Sequence, residues 1–153
     1  PPFEMQLFHL NNYMNLSNDS PKNHFSKELD LKKYSNGMGA MGLPGDWSSQ
    51  SRFVRAAFTK MNSKCRISES ESVSQFFHLL SSVEFPRGCV EMKKDIYEIT
   101  VYSSCCNTDK GIYYYKTYEN FCITAVDMHH EDLDGTELVC YPMKKENKFV
   151  LQN

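Results

Sequence analysis

GDWSSQSRFVRAAF, Gly45 to Phe58, reads as the start of a helix. Asp46, Ser48 and Ser49 each suit an N-cap, where a side-chain oxygen takes up a backbone N–H that no carbonyl of the helix can reach. Val54, Ala57, Phe58 and Met61 then recur at i, i+3, i+4 and i+7, the spacing of one buried helical stripe, and predict a helix to about Asn62. Arg52 is out of place in this pattern. It falls in or just after the first turn, where the helix dipole disfavours a cation by about 0.3–1 kcal/mol. It also lies on the side away from the stripe, with Ala56 and Thr59 as small neighbours on its own face. From the residues alone it reads as a solvated arginine.

Upstream, Phe3 to about Leu16 is apolar and predicted helical, and Ser17 to Lys33 is a polar surface excursion. YSNGMGAMGLPGD follows, with Gly37, Gly39, Gly42 and Gly45 set among Met38, Met41 and Leu43. No Lys-Ser/Thr follows these glycines and no strand precedes them, so they do not make a phosphate loop. A flexible apolar loop that can line a pocket is expected instead.

Downstream, a capping box from Ser68 to Glu71 opens a second helix with the stripe Val73, Phe76, Phe77 and Leu80, and FPRG (Phe85 to Gly88) ends it. Tyr97, Ile99 and Val101 alternate with polar residues as in a half-buried strand. Cys106 to Gly111 is a turn, Ile112 to Tyr118 a strand, Glu119 and Asn120 a turn, and Phe121 to Met128 a further strand. Two long helices followed by an antiparallel meander predict an α+β fold with helices on one face of a sheet.

A chain of 153 residues can bury a core of its own. Its net charge of −2 is spread without a basic stripe, which argues against nucleic acid as partner. No run of 18 apolar residues predicts a membrane span. The chain begins PPFEMQ without an initiator Met and is expected to be a fragment. The six cysteines form no C-x-x-C pair and are expected to be reduced thiols of a cytoplasmic protein. His129 and His130 beside Glu131 and Asp132 are expected to form a solvated turn, with no metal and no cofactor.

GLPGDWSSQSRFVRAAFTKMNS, ESVSQFFHLLSSVEFPRG, YEITVYSSCCNTDKGIYYYKTY and ITAVDMHHEDLDG together resemble the C-terminal half of the choloylglycine hydrolase family, the conjugated bile acid hydrolases and penicillin V acylases. The resemblance implies one N-terminal nucleophile hydrolase domain, an αββα four-layer sandwich of which residues 1–153 are the C-terminal portion. It implies cleavage of a linear amide in a conjugated bile acid, with penicillin V as the alternative substrate and a non-enzymatic module on the same fold as the alternative class. The family's nucleophile is a mature N-terminal Cys whose own α-amine is the base. Position 1 here is Pro, so the chain alone is expected to be inactive. One catalytic position of the family falls within the chain: Arg52, held in a polar network around the nucleophile, with Arg55 outside it. Substrate-binding residues stay unassigned. The partners implied are the missing N-terminal half and, for the complete protein, further copies in a homotetramer.

Overall fold

In the computed structural model, which describes all of residues 1–153, the polar start and apolar stripes of the sequence give helices where they predict them. Pro1–Lys64 and Cys65–Asn153 form two compact units.

The first unit holds Phe3–His9 (α1) and Ser49–Asn62 (α2). The apolar opening segment was expected to stay helical to about Leu16, but α1 ends at His9 and a 3₁₀ turn carries the chain only to Tyr13. The Asn11 amide donates to the Phe8 carbonyl at 2.7 Å, a local bond that competes with continuation of the helix. Residues 14–37 contain no regular element and are mostly exposed, as the polar composition predicts. The glycine loop departs from its expected slackness. Consecutive turns link Gly37 to Ala40, Met38 to Met41 and Ala40 to Leu43. The backbone of Gly39 lies so close to the carbonyls of Ser17 and Asp19 that a Cβ there would overlap both. Met38 and Met41 do line an open cleft of about 720 Å³, whose other walls are largely polar.

Along α2 the predicted stripe is buried only in part. Val54 is 1% exposed and Met61 is 78% exposed. Ser51, one turn before Val54, is buried in its place.

The second unit is a helix on a sheet. Glu69–Ser81 (α3) begins at the predicted capping box: the Ser68 hydroxyl accepts the Glu71 N–H at 3.3 Å and donates to the Glu71 carboxylate at 2.7 Å. Glu91–Lys93 (β1) and Ile96–Tyr97 (β2) then pair as a small hairpin turned by Asp95 at φ 61°, an element the sequence reading did not find. The strand expected over Tyr97 to Val101 is displaced accordingly. Tyr97 closes the hairpin, while the Thr100 N–H donates to the Phe85 carbonyl and the Glu98 N–H to the Val90 carbonyl, away from the main sheet.

That sheet is Tyr102–Asn107 (β3), Ile112–Thr117 (β4) and Thr124–Asp127 (β5), antiparallel in sequence order. β5 is shorter than the expected Phe121 to Met128 because the Asn120 side chain holds the Cys122 N–H in a turn. Ser103 pairs with Lys116 and Cys105 with Tyr114, so these residues share the face that meets α3. Phe77 of α3 and Phe85 just after it are buried apolar residues, and Tyr115 is buried on the opposite face of the sheet. The other face carries Tyr102, Tyr113, Tyr115 and Thr117; Lys144 crosses it, its N–H on the Tyr115 hydroxyl and its carbonyl on that of Thr117. Tyr102 stays 50% exposed there.

Candidate functional site

The first turn of α2 is built from short-range polar contacts. Ser48 is the N-cap; its hydroxyl accepts the Ser51 N–H at 3.3 Å. Asp46, two residues before the cap, accepts the Ser48 N–H at 2.9 Å and the Ser51 hydroxyl at 2.5 Å. The Ser48 hydroxyl, the Ser51 hydroxyl and the Ser48 N–H, in that order, hold the Asp46 carboxyl at a pKa of about 2, down from an ordinary 3.8. The helix start thus has a fixed anion of its own, the charge its dipole favours.

Arg52 sits on this platform. Its N–H donates to the Ser48 carbonyl at 3.0 Å, the bond that closes the first turn, and its side chain is half-buried rather than freely solvated. Ala56 and Thr59, its expected small neighbours, are likewise half-buried. Arg55 has a different part. Its guanidinium folds back to the carbonyls of Pro44 at 2.9 Å and Asp46 at 2.5 Å, tying the loop before the helix to the second turn.

The sequence reading passed over Gln6. It is buried at 6% exposure and donates to the Ser49 hydroxyl at 3.3 Å, joining α1 to the first residue of α2. Phe3, one turn earlier, meets Phe53 edge to face at 5.8 Å between ring centres. A glutamine between apolar residues of a short helix carries no sequence signal of burial. Asp46 and Ser48 stand among the N-cap candidates of the sequence; Ser51 was not among them, although D-x-S-x-x-S before an apolar stripe is a capping spacing that points to it.

In the second unit Glu69, in the first turn of α3, accepts from Lys110 at 2.6 Å, Asn107 at 2.5 Å and Tyr114 at 3.0 Å. Lys110 first, then Asn107 and Tyr114, lower the Glu69 pKa, while burial and the Glu69 carboxylate raise that of Tyr114. All three donors lie on β3, β4 or the turn between them, so this carboxylate fastens the sheet to the helix. Glu84 does the same at the other end, 2.8 Å from Lys116. His129 and His130 form an exposed 3₁₀ turn capped by Asp127. All six cysteines are free thiols, and no group of three His, Cys, Asp or Glu side chains is placed to hold a metal ion. No helix is long and apolar enough to cross a membrane.

Residues 1–141 match the family model of linear amide C–N hydrolases, choloylglycine hydrolase family. The chain is 57% identical over all 153 residues to a bile salt hydrolase/transferase of Lactiplantibacillus plantarum, of which it covers 47%. It is 37% identical over 145 residues (95% of the chain) to a bile salt hydrolase/transferase of Clostridium perfringens, covering 44% of that protein. A crystal structure of a single-substitution variant of the C. perfringens conjugated bile acid hydrolase superposes on the whole chain with a TM-score of 0.86 at 35% identity, over 46% of its own length. Penicillin V acylase from Agrobacterium tumefaciens matches 84% of the chain and 34% of its own with a TM-score of 0.56; at 20% identity this is a likeness of fold. The chain spans just under half the length of the curated relatives named here.

Proposed function

Because the chain belongs to the choloylglycine hydrolase family of linear amide C–N hydrolases, we propose that residues 1–153 are the C-terminal portion of a single bile salt hydrolase domain. In this reading the complete protein cleaves the amide of glycine- or taurine-conjugated bile acids. The observation that carries it is 57% identity across the whole chain to a bile salt hydrolase/transferase of which the chain covers 47%. The part of the sheet face that stays open around Tyr102 and Tyr113 agrees with it: in a four-layer sandwich this face packs on a second sheet, which the rest of the domain supplies.

The mechanism divides between the two portions. A mature N-terminal Cys, contributed from before Pro1, attacks the amide carbonyl and passes its proton to its own α-amine, which hands it to the leaving glycine or taurine nitrogen. Water then attacks the thioester and releases the free bile acid. Arg52 is the member of this machinery that the present chain supplies. Its guanidinium offers several fixed donors to negative charge on the nucleophile and its polar partners, and charge-assisted bonds of about 1.5–3 kcal/mol outweigh the dipole cost of its place in the first turn. Asp46, fixed at the same helix start, reduces that cost further.

Penicillin V acylase activity is the weaker reading, since the likeness to that enzyme is one of fold at 20% identity. A cytoplasmic homotetramer completes the proposal, in keeping with six free thiols, five of them exposed. The test is to recover the coding sequence upstream of Pro1, express the complete protein and measure glycine and taurine released from conjugated bile acids with ninhydrin. A Cys at the mature N-terminus with release is expected. Another residue there, and no release, would establish the non-enzymatic alternative.

A further inference from the structure

Among all buried side-chain nitrogens and oxygens of the chain, Oε1 of Gln6 is the one without a hydrogen-bond partner. Turning the amide over does not remove the anomaly. The oxygen would then meet the Ser49 hydroxyl and the NH₂ would be the orphan, because a single neighbour cannot satisfy both ends. Proteins rarely bury half of an amide unpaired, and each exception calls for a cause. Packing does not provide one: Phe3, the apolar residue of α1 on the same face, is itself 66% exposed.

Ser49, which the other end of the amide holds, is the first residue of α2 and lies three positions before Arg52, on the same face of the helix. With Phe3 on Phe53 and Gln6 on Ser49, α1 runs antiparallel along the first turn and fixes its direction. We propose that Gln6 is a positioning residue for Arg52: one end of its amide holds Ser49 and the other accepts a hydrogen bond from a donor in the part of the protein that precedes Pro1. The inference rests on the hydrolase reading above and adds to it a joint between the two portions, through which assembly of the domain sets the aim of the arginine.

The experiment uses the complete protein with Gln6→Leu and Gln6→Glu. Gln6→Leu keeps the bulk and removes both bonds; kcat should fall roughly tenfold, the scale of one transition-state hydrogen bond, with KM within about twofold of the parent. Gln6→Glu should regain activity relative to the parent as the pH is lowered from about 7 to about 5, because a buried carboxyl is neutral there and the neutral acid, like the amide, presents a donor at one end and an acceptor at the other. Unchanged kcat in Gln6→Leu, or a loss that follows the folded fraction measured by circular dichroism, overturns the inference. A crystal structure of the complete protein decides it independently of turnover. The amide should bridge Ser49 and a donor that precedes Pro1 in sequence, and an amide whose sole protein partner is Ser49 also overturns it. A parent protein that releases no amine refutes the hydrolase reading instead, and the structure still tests the joint.

Discussion

At the start of α2 the Ser48 hydroxyl accepts the Ser51 N–H at 3.3 Å, and at the start of α3 the Ser68 hydroxyl accepts the Glu71 N–H at the same distance. From this common cap the two helices diverge. The first turn of α3 carries Glu69 and Glu71, the charge its dipole favours, and Glu69 reaches residues 38 to 45 positions away in sequence. The first turn of α2 contains no acidic residue, places Arg52 at its close, and takes its anion from Asp46 before the cap. Every polar group around Glu69 has a structural use within the chain. Around α2 a cation stands against the dipole and a buried amide is half satisfied. Local rules are kept at the start of α3, and they are broken at the start of α2, where the proposed function places chemistry.

The largest effect expected from this contrast is on turnover. In the complete protein Arg52→Ala should lower kcat by roughly ten to a few hundredfold, the equivalent of one charge-assisted contact made in the transition state. Arg52→Lys should restore part of it, since a point charge lacks the planar fork. Steady-state kinetics beside circular dichroism checks both. Full turnover in Arg52→Ala would return this residue to the surface.

Arg55→Ala should show the opposite balance. Its guanidinium bonds to the Pro44 and Asp46 carbonyls, so its loss should reduce unfolding free energy in urea by about 1–3 kcal/mol. Activity should fall only as far as the folded fraction falls. The resemblance leaves Arg55 outside the catalytic network, and its bonds to the loop carbonyls make it a stability residue three positions from the proposed catalytic Arg52.

What was legible in the sequence was whatever repeats or caps. The N-caps at Ser48 and Ser68, the core position of Phe77 and the β3–β4 turn at Gly111 follow from local chemistry that any one segment carries. What escaped was set by long-range pairing. Ile99 alternates like a strand residue, yet its neighbours bond to Phe85 and Val90, and the β1–β2 hairpin turns on Lys94 and Asp95 with no Asn-Gly or Asp-Gly to mark it. Met61 fits the stripe of α2 and is exposed because helical periodicity gives direction and not what lies in that direction. Of the candidate site, Arg52 was visible through resemblance and Asp46 and Ser48 through capping chemistry, while Ser51 and Gln6 were not read from the sequence.

The shared cap gives a smaller and more even response. Ser48→Ala and Ser68→Ala should each lower stability by about 1 kcal/mol, the ordinary value of an N-cap hydroxyl. Urea midpoints of the two variants should agree within about 0.5 kcal/mol of unfolding free energy. A much larger loss at Ser48 would mean that its part in holding Asp46 adds to the cap and that the two starts differ more than their common geometry implies.

The smallest effect separates the two anions by acid. Both carboxyls have folded-state pKa values below their unfolded ones, so each contributes stability that is complete above the unfolded value and is lost as the pH falls through the folded one. For Asp46 that loss begins near 3.8 and runs to about 2; for Glu69 it begins near 4.5 and continues below. On acidification the thermal midpoint of the complete protein should therefore fall less steeply in Glu69→Gln from pH 4.5 downward, and in Asp46→Asn only from 3.8 downward. Salt tells the two apart again. The first partner of Glu69 is the Lys110 ammonium, 60% exposed in its side chain, and added salt screens such a pair. The partners of Asp46 are neutral, the Ser51 hydroxyl and the Ser48 N–H, in short bonds that screening hardly touches. The gap between parent and Glu69→Gln should shrink as salt is raised from low concentration to about 1 M, where the Debye length is about 3 Å, while the gap for Asp46→Asn should stay. If the Asp46 gap closes as well, that carboxylate acts on α2 as a charge facing the dipole, and Arg52 is then balanced by a field rather than by a fixed set of hydrogen bonds.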